Sequence, residues 1–173
     1  KIQRFRFVGN KVFSDSDLRG EIISREAAWY RFLSESDRYD PDRFEFDQEL
    51  LRRFYLQEGY ADFRVISSNA ELSKDRQNFF ITITVEEGDR YKFGKIEIDS
   101  RIKDFDASVL NDVVKIENGQ WYDIEDVTKT VDALKEKLGD LQYAFVEINP
   151  RINKNTEDNT IDVTFTINES PKV

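Results

Sequence analysis

The sequence predicts an α+β protein built from two tandem modules, each with the element order β-α-α-β-β. Three observations support this fold class. One half of the chain repeats the other, polar and apolar residues alternate in several runs as they do in half-buried strands, and apolar residues between those runs recur at helical spacing. With 39% hydrophobic and 35% charged residues, the chain has the composition of a folded globular protein.

The repeat is clearest at the aromatic residues. Trp29 recurs as Trp121, 92 positions later, whereas Tyr60 recurs as Tyr143, only 83 positions later. The first copy therefore carries nine residues that the second lacks, near residues 30–39. We assign residues 1–90 to a first domain and residues 91–173 to a second.

Each copy opens with a short alternating strand, at about residues 2–8 and 92–98. A helix follows, with Ser14 or Asp106 as the capping residue whose side chain accepts a bond from a free backbone amide. Its buried face is marked by apolar pairs four positions apart, namely Leu18 with Ile22 and Leu110 with Val114.

A second helix begins after Asp40, because Pro41 is suited to the first helical position. Gly59 is expected to end this helix in a left-handed conformation. In the second copy the same helix shows one apolar stripe at i, i+4, i+7 and i+11, formed by Val127, Val131, Leu134 and Leu138.

The last two strands of each copy form a hairpin, with its tip at residues 73–78 or 153–159. The closing strand of the first copy alternates cleanly, which indicates a sheet covered on one side only. Its inward residues are Phe79, Ile81, Ile83 and Val85. Each module is thus predicted to be a three-stranded mixed sheet covered on one face by two helices.

Composition argues against several functions. The net charge of −9 disfavours nucleic acid as a partner. The chain has no histidine and no cysteine, and it lacks phosphate-loop and nucleophile motifs, so we predict neither catalysis nor a cofactor. Asp37, Asp40 and Asp42 do not have the spacing of a calcium loop, and no metal site is predicted.

Three short segments resemble POTRA (polypeptide-transport-associated) domains. They are the turn Val8-Gly9-Asn10, the strand entry Gly59-Tyr60-Ala61, and the run Val85–Tyr91 at the module boundary. With Lys115–Gly119 in the second copy, the resemblance covers essentially the whole chain. The first copy is similar to the third, and the second copy to the fourth, of the POTRA domains of outer-membrane β-barrel assembly factors.

The second copy departs from the family pattern at two turns. Asp99-Ser100 stands where Gly-Asn is typical, and Gln142 stands where Gly usually precedes Tyr-Ala. These departures make the turn geometry of the second module an open question for the structure.

The resemblance implies a role as well as a fold. Such domains lie in the periplasm, upstream of a membrane barrel, bind accessory lipoproteins and unfolded outer-membrane β-barrel proteins, and are not enzymes. Because Lys1 enters a strand pattern almost at once, we expect the sequence to be a piece of a longer protein, and as an isolated segment we expect a monomer.

The second strand of each module is the candidate binding site, because it is predicted to lie at a sheet edge where a peptide strand can add. In the first copy this strand, about Tyr60–Leu72, has no proline, whereas Pro150 interrupts its counterpart. The alternative is an edge that is merely exposed and protected by charge. The candidate residues are Phe63, Arg64, Val65, Ile66, Ser67, Ser68, Asn69, Ala70 and Glu71.

Two further segments are candidates for function. The insertion at residues 31–38 is not required by the fold, so it is either a partner-binding loop or a neutral excursion. Its candidate contact residues are Arg31, Phe32, Leu33 and Glu35. The short linker between the modules is predicted to be an interdomain hinge, formed by Glu87, Gly88, Asp89 and Arg90. Trp29 and Trp121 are expected to pack in the core rather than to form a recognition surface.

Two other functions remain open from the sequence. The modules could be a passive spacer that sets the position of a barrel and binds nothing. Alternatively, they could be the POTRA pair of another outer-membrane transporter, of the two-partner secretion or organelle-import type.

Overall fold

The computed structural model describes residues 2–30, 41–76 and 78–170 of the chain. The chain divides into two compact units, Lys1–Leu56 with Tyr60–Asp89, and Gln57–Gly59 with Arg90–Val173. Among the described residues, no helix combines the length and apolar character needed to cross a membrane.

The first unit contains a three-stranded sheet and two α-helices. Its elements are β1 (Ile2–Val8), α1 (Asp15–Tyr30), α2 (Pro41–Gln57), β2 (Arg64–Leu72) and β3 (Asn78–Glu86). The strand order is β1-β3-β2, with β1 parallel and β2 antiparallel to the central β3. The predicted mixed sheet is therefore confirmed.

The second unit has the same topology. Its elements are β4 (Lys92–Ser100), a 3₁₀ helix (Ala107–Val113), α3 (Ile124–Asp140), β5 (Val146–Asn155) and β6 (Thr160–Glu169). The order β4-β6-β5 again places the last strand in the centre, between a parallel and an antiparallel neighbour.

One face of each sheet is buried against the helices. In the first unit the predicted residues Leu18 and Ile22 of α1 are fully buried together with Leu51 of α2. In the second unit Leu134 and Leu138 of α3 are fully buried. The inward residues of the central strands complete both cores: Ile81, Ile83 and Val85 in β3, and Ile161, Val163, Phe165 and Ile167 in β6.

The first helix of the second module is shorter than predicted. Asp106 does cap it, accepting a 3.0 Å bond from the Ser108 amide, but the helix is of the 3₁₀ type and Val114 beyond it is extended. The expectation that Val114 lies on the helix was therefore wrong. The segment contains β-branched valines and Ser, Asn and Asp side chains that compete for backbone bonds, and these disfavour a long α-helix.

The first departure from the family pattern changes how β4 ends. Gly9 follows β1 with a positive φ of 93°, and a Cβ there would lie 2.2 Å from the Val85 carbonyl oxygen. Ser100 instead continues β4 in register with Ile167, and the Arg101 amide donates a 2.9 Å bond to the Ile167 carbonyl. The second module therefore extends its strand where the first module turns.

The second departure leaves the turn geometry the same as in the first module. Gly59 and Gln142 both adopt positive φ, at 97° and 72°. In both modules the next amide bonds the carbonyl five residues earlier, Tyr60 to Tyr55 at 2.9 Å and Tyr143 to Leu138 at 2.8 Å. Both helices thus end in the same left-handed cap.

Candidate protein-binding edge of the first sheet

Strand β2 is an edge of the first sheet. In the part of the chain that the structure describes, β2 pairs with β3 alone. Its other side therefore presents backbone N–H and C=O groups that an added strand can bond.

The hairpin bonds identify which amides face the free edge. The Ser73 amide donates a 2.8 Å bond to the Asn78 carbonyl, so this pair is a hydrogen-bonded one. Bonded and non-bonded pairs alternate along an antiparallel ladder. With the observed register, the amides of Leu72, Ala70 and Ser68 belong to non-bonded pairs and point away from β3.

A β-bulge divides the strand near its start. Val65 pairs with Val85 and Ser67 with Thr84, so Ile66 is the extra residue. The Ile66 side chain is 57% exposed. The regular ladder runs from Ser67 through Asn69 and Glu71 to Leu72, and this stretch is the part of the predicted edge that offers unbroken strand geometry.

Phe63 was assigned to the edge strand, and the structure places it before the strand and in the core. It is 6% exposed, and its ring stacks on Tyr55 of α2 with a centroid distance of 4.0 Å. Tyr60, at the start of the predicted strand, is also buried and packs edge-on against Tyr55. Polar and apolar residues alternate here as they would in a strand. The aromatic residues instead pack against α2 and so fix the start of β2.

Glu87, a predicted hinge residue, is likewise part of the first unit's core. Its carboxylate accepts bonds from the Lys11 amide (2.6 Å), the Val12 amide (3.1 Å) and the Tyr55 hydroxyl (2.8 Å). Burial, followed by the bond to Glu87 and its charge, raises the pKa of the Tyr55 phenol. Of the other predicted hinge residues, Gly88 has a positive φ of 73°, and the division between the units falls between Asp89 and Arg90.

A shallow groove runs beside the start of β2, between this strand and α2. It is lined by Gln48, Arg52, Phe63 and Val65, among others. The Gln48 amide donates a 3.2 Å bond to the Ser68 hydroxyl and so ties the helix to the edge strand. On the opposite face of the sheet, charged and polar side chains cover β2, and Arg64 pairs with Glu86 at 2.6 Å.

The corresponding edge of the second sheet differs in one backbone donor. The Ser170 amide bonds the Phe145 carbonyl at 2.9 Å, and the register then places Pro150 at a non-bonded pair with Phe165. Pro150 therefore lacks an amide that would have faced the free edge, and the ladder to β6 loses nothing. In the repeat, Pro150 occupies the position of Ser68, since Phe165 corresponds to Ile83.

The remaining candidates fall in different places. The loop residues Arg31, Phe32, Leu33 and Glu35 lie outside the described residues, as do Asp37 and Asp40 and the side chains of Trp29 and Asp42.

Trp121 was expected in the core, yet it is 45% exposed and its ring is covered by Arg90 at 4.1 Å and Lys92 at 4.8 Å. Its neighbour Tyr122 is buried instead, and that burial raises its pKa to about 12.

The topology defines a class: tandem β-α-α-β-β modules with a central closing strand. The family model of the POTRA domain, described as a surface antigen variable number repeat, matches residues 1–88 and again residues 91–170. The chain belongs to the POTRA family.

Among curated proteins, the chain is 28% identical over 173 residues to the outer membrane protein assembly factor BamA of Neisseria meningitidis, covering 100% of this chain and 22% of that protein. It is 30% identical to the BamA of Nitratidesulfovibrio vulgaris, covering 99% of this chain and 22% of the relative. The chain thus spans about a fifth of the length of these relatives.

Solved structures agree on the fold. The crystal structure of Haemophilus influenzae BamA POTRA3-5 superposes with a TM-score of 0.75 at 20% identity, covering 99% of this chain and 66% of that one. BamA of Haemophilus ducreyi lacking POTRA domains 1-3 gives a TM-score of 0.68 at 16% identity, covering 98% and 29%. The resemblance to tandem POTRA domains of BamA is therefore confirmed.

Proposed function

We propose that this POTRA pair is a periplasmic protein-binding part of an outer-membrane protein assembly factor, and that β2 binds partner proteins by strand addition. The class of partner is an unfolded outer-membrane β-barrel protein or an accessory assembly lipoprotein. The observation that carries the proposal is the free edge of β2, with outward amides at Ser68, Ala70 and Leu72. The names of the relatives support the wider role in outer-membrane assembly.

Strand addition explains how one sheet edge binds partner segments of many different sequences. Main-chain bonds to the edge do not depend on the partner's side chains, so sequences with alternating β patterns all fit. Every second side chain of the added strand lies on the helix side of the sheet. There the groove lined by Gln48 and Val65 gives a modest preference among partners. Nothing in this binding requires catalysis.

The test transfers the proline of the second module into the first. Ser68→Pro removes one outward amide without removing a ladder bond, and Pro150 indicates that the fold accepts proline at this position. The probe is the peptide Lys-Thr-Val-Thr-Tyr-Thr-Val-Thr-Lys, added in an amide chemical-shift titration. We expect shifts at residues 64–72 in the parent chain and at least tenfold weaker binding in Ser68→Pro.

Two matched variants sharpen the result. Ser68→Ala loses the bond from Gln48 but keeps the backbone amide, so it should bind within about twofold of the parent. Pro150→Ser restores an outward amide on β5 and should produce new shifts at residues 146–155. Equal binding by Ser68→Pro and Ser68→Ala would overturn strand addition at this edge.

The competing function is a passive spacer. It is favoured by the charged residues on the solvent face of β2, such as Arg64 and Glu71, which protect sheet edges against unwanted pairing. A spacer predicts no shifts at millimolar peptide in any of the four chains.

A further inference from the structure

The second unit contains a groove that is separate from the β2 edge. It lies between the segment that follows the 3₁₀ helix and one face of α3, and encloses about 300 Å³, at the small end of the range for ligand pockets. Val113, Ile116 and Ala133 give it an apolar floor, and the lysines Lys115 and Lys129 stand beside that floor.

The groove lies beside the short first helix of the second module. In the first module α1 has 16 residues, whereas the equivalent 3₁₀ helix of the second has 7. After Val113 the chain is extended and runs beside α3, where Thr130 is buried and Ala133 is half-buried.

Both lysines are available to a ligand. In the described part of the chain, neither Lys115 nor Lys129 has a carboxylate within the 4.0 Å that defines an ion pair. One carboxylate, that of Asp126, also lines the groove and accepts a 3.1 Å bond from the Gln120 side-chain amide. Lys129 also interacts with the charge of Asp123, outside the lining. The lining therefore carries the positive charges of Lys115 and Lys129 against the one negative charge of Asp126.

Charge and polarity together define what fits. An occupant needs an apolar side chain to cover the floor, which contributes binding energy in proportion to the area removed from water. It also needs carboxylates within reach of the two ammonium groups, since complementary charge selects the partner and its orientation. A basic or wholly polar segment meets neither requirement.

We propose that this groove binds an acidic, amphipathic peptide segment of a partner protein, with an apolar side chain on Val113, Ile116 and Ala133 and carboxylates at Lys115 and Lys129. This second site does not depend on strand addition at β2.

The experiment titrates the chain with acetyl-Glu-Leu-Glu-Leu-Glu-amide and follows backbone amide shifts. We expect shifts at residues 113–116 and 129–133. The double variant Lys115→Glu with Lys129→Glu should bind at least tenfold more weakly. Lys135→Glu is the matched control, because Lys135 is exposed on the same helix and does not line the groove.

Two control peptides test the chemistry. Acetyl-Glu-Ser-Glu-Ser-Glu-amide keeps the charge and lacks the apolar side chains, and acetyl-Lys-Leu-Lys-Leu-Lys-amide reverses the charge; both should bind at least tenfold more weakly. If the serine peptide binds as tightly as the leucine peptide, the effect is general charge attraction and the proposed site is overturned. The same holds if Lys135→Glu weakens binding as much as the double variant does. Ser68→Pro should leave this titration unchanged, which separates its outcome from that of the β2 edge.

Discussion

The two modules form the same turn at the end of α2 and of α3 with different residues. Gly59 adopts a φ of 97° without a steric penalty, whereas Gln142 holds a φ of 72° with a side chain present. The left-handed region costs a non-glycine residue about 1 kcal/mol or more. The rest of the second module therefore enforces this conformation, through the bond from Tyr143 to Leu138 and the packing of α3.

We expect Gln142→Gly to stabilise the second module. Relief of the left-handed backbone outweighs the added flexibility of the unfolded chain, and the net gain should be about 0.5–1 kcal/mol. Thermal and chemical denaturation of the parent and the variant would measure it. A stability loss in Gln142→Gly would contradict this account of the turn.

A buried carboxylate connects three segments of the first module, in addition to its apolar core. Glu87 follows β3, accepts two amides from the loop after β1, and accepts the hydroxyl of Tyr55 in α2. The Tyr55 ring that bonds Glu87 through its hydroxyl also stacks on Phe63, the residue before β2. Glu87, which the sequence predicted to be part of an interdomain hinge, is thus connected through Tyr55 to the start of the edge strand.

Glu87→Ala should lower the unfolding free energy of the first module by about 3 kcal/mol. The variant leaves two amides and a buried hydroxyl without their acceptor, and bonds to a charged group contribute about 1.5–3 kcal/mol each. Tyr55→Phe removes one donor and should cost about 1 kcal/mol. A double-mutant cycle of Glu87→Gln with Tyr55→Phe measures the coupling. Additive effects would show that the Tyr55 bond contributes nothing specific.

At the scale of the whole molecule, the two candidate functions place different requirements on the linker between the units. A passive spacer needs a fixed linker length, whereas a binding site within one unit does not. Each candidate site lies within one unit. The β2 edge belongs to the first unit, and the groove beside Lys115 and Lys129 belongs to the second. Neither site takes residues from both units, so peptide binding does not need a fixed linker length.

Inserting Gly-Ser-Gly-Ser between Asp89 and Arg90 should therefore leave the affinity of the alternating peptide for β2 within twofold of the parent. Isothermal titration calorimetry of the alternating peptide with the parent and with the insertion variant would measure this. A large loss of affinity in the insertion variant would show that the edge depends on linker length.

The sequence by itself determined the repeat, the fold class and most element bounds. Periodicity fixes which faces of α1, α3 and β3 are buried, because a helix and a strand each expose a residue at a set interval. It also identified the proline difference between β2 and β5. These features are local, so the pattern of neighbouring residues contains them.

The tertiary structure decided what depends on distant contacts. Glu87 belongs to the core because its carboxylate accepts the hydroxyl of Tyr55 from a separate segment, and Phe63 because it stacks on the same ring. The bulge at Ile66 follows from pairing with β3, and the outward direction of the Ser68 amide follows from register. The groove beside Lys115 and Lys129 forms where the extended chain after the 3₁₀ helix meets α3. Local periodicity predicts none of these features, because each depends on contacts between different segments of the chain.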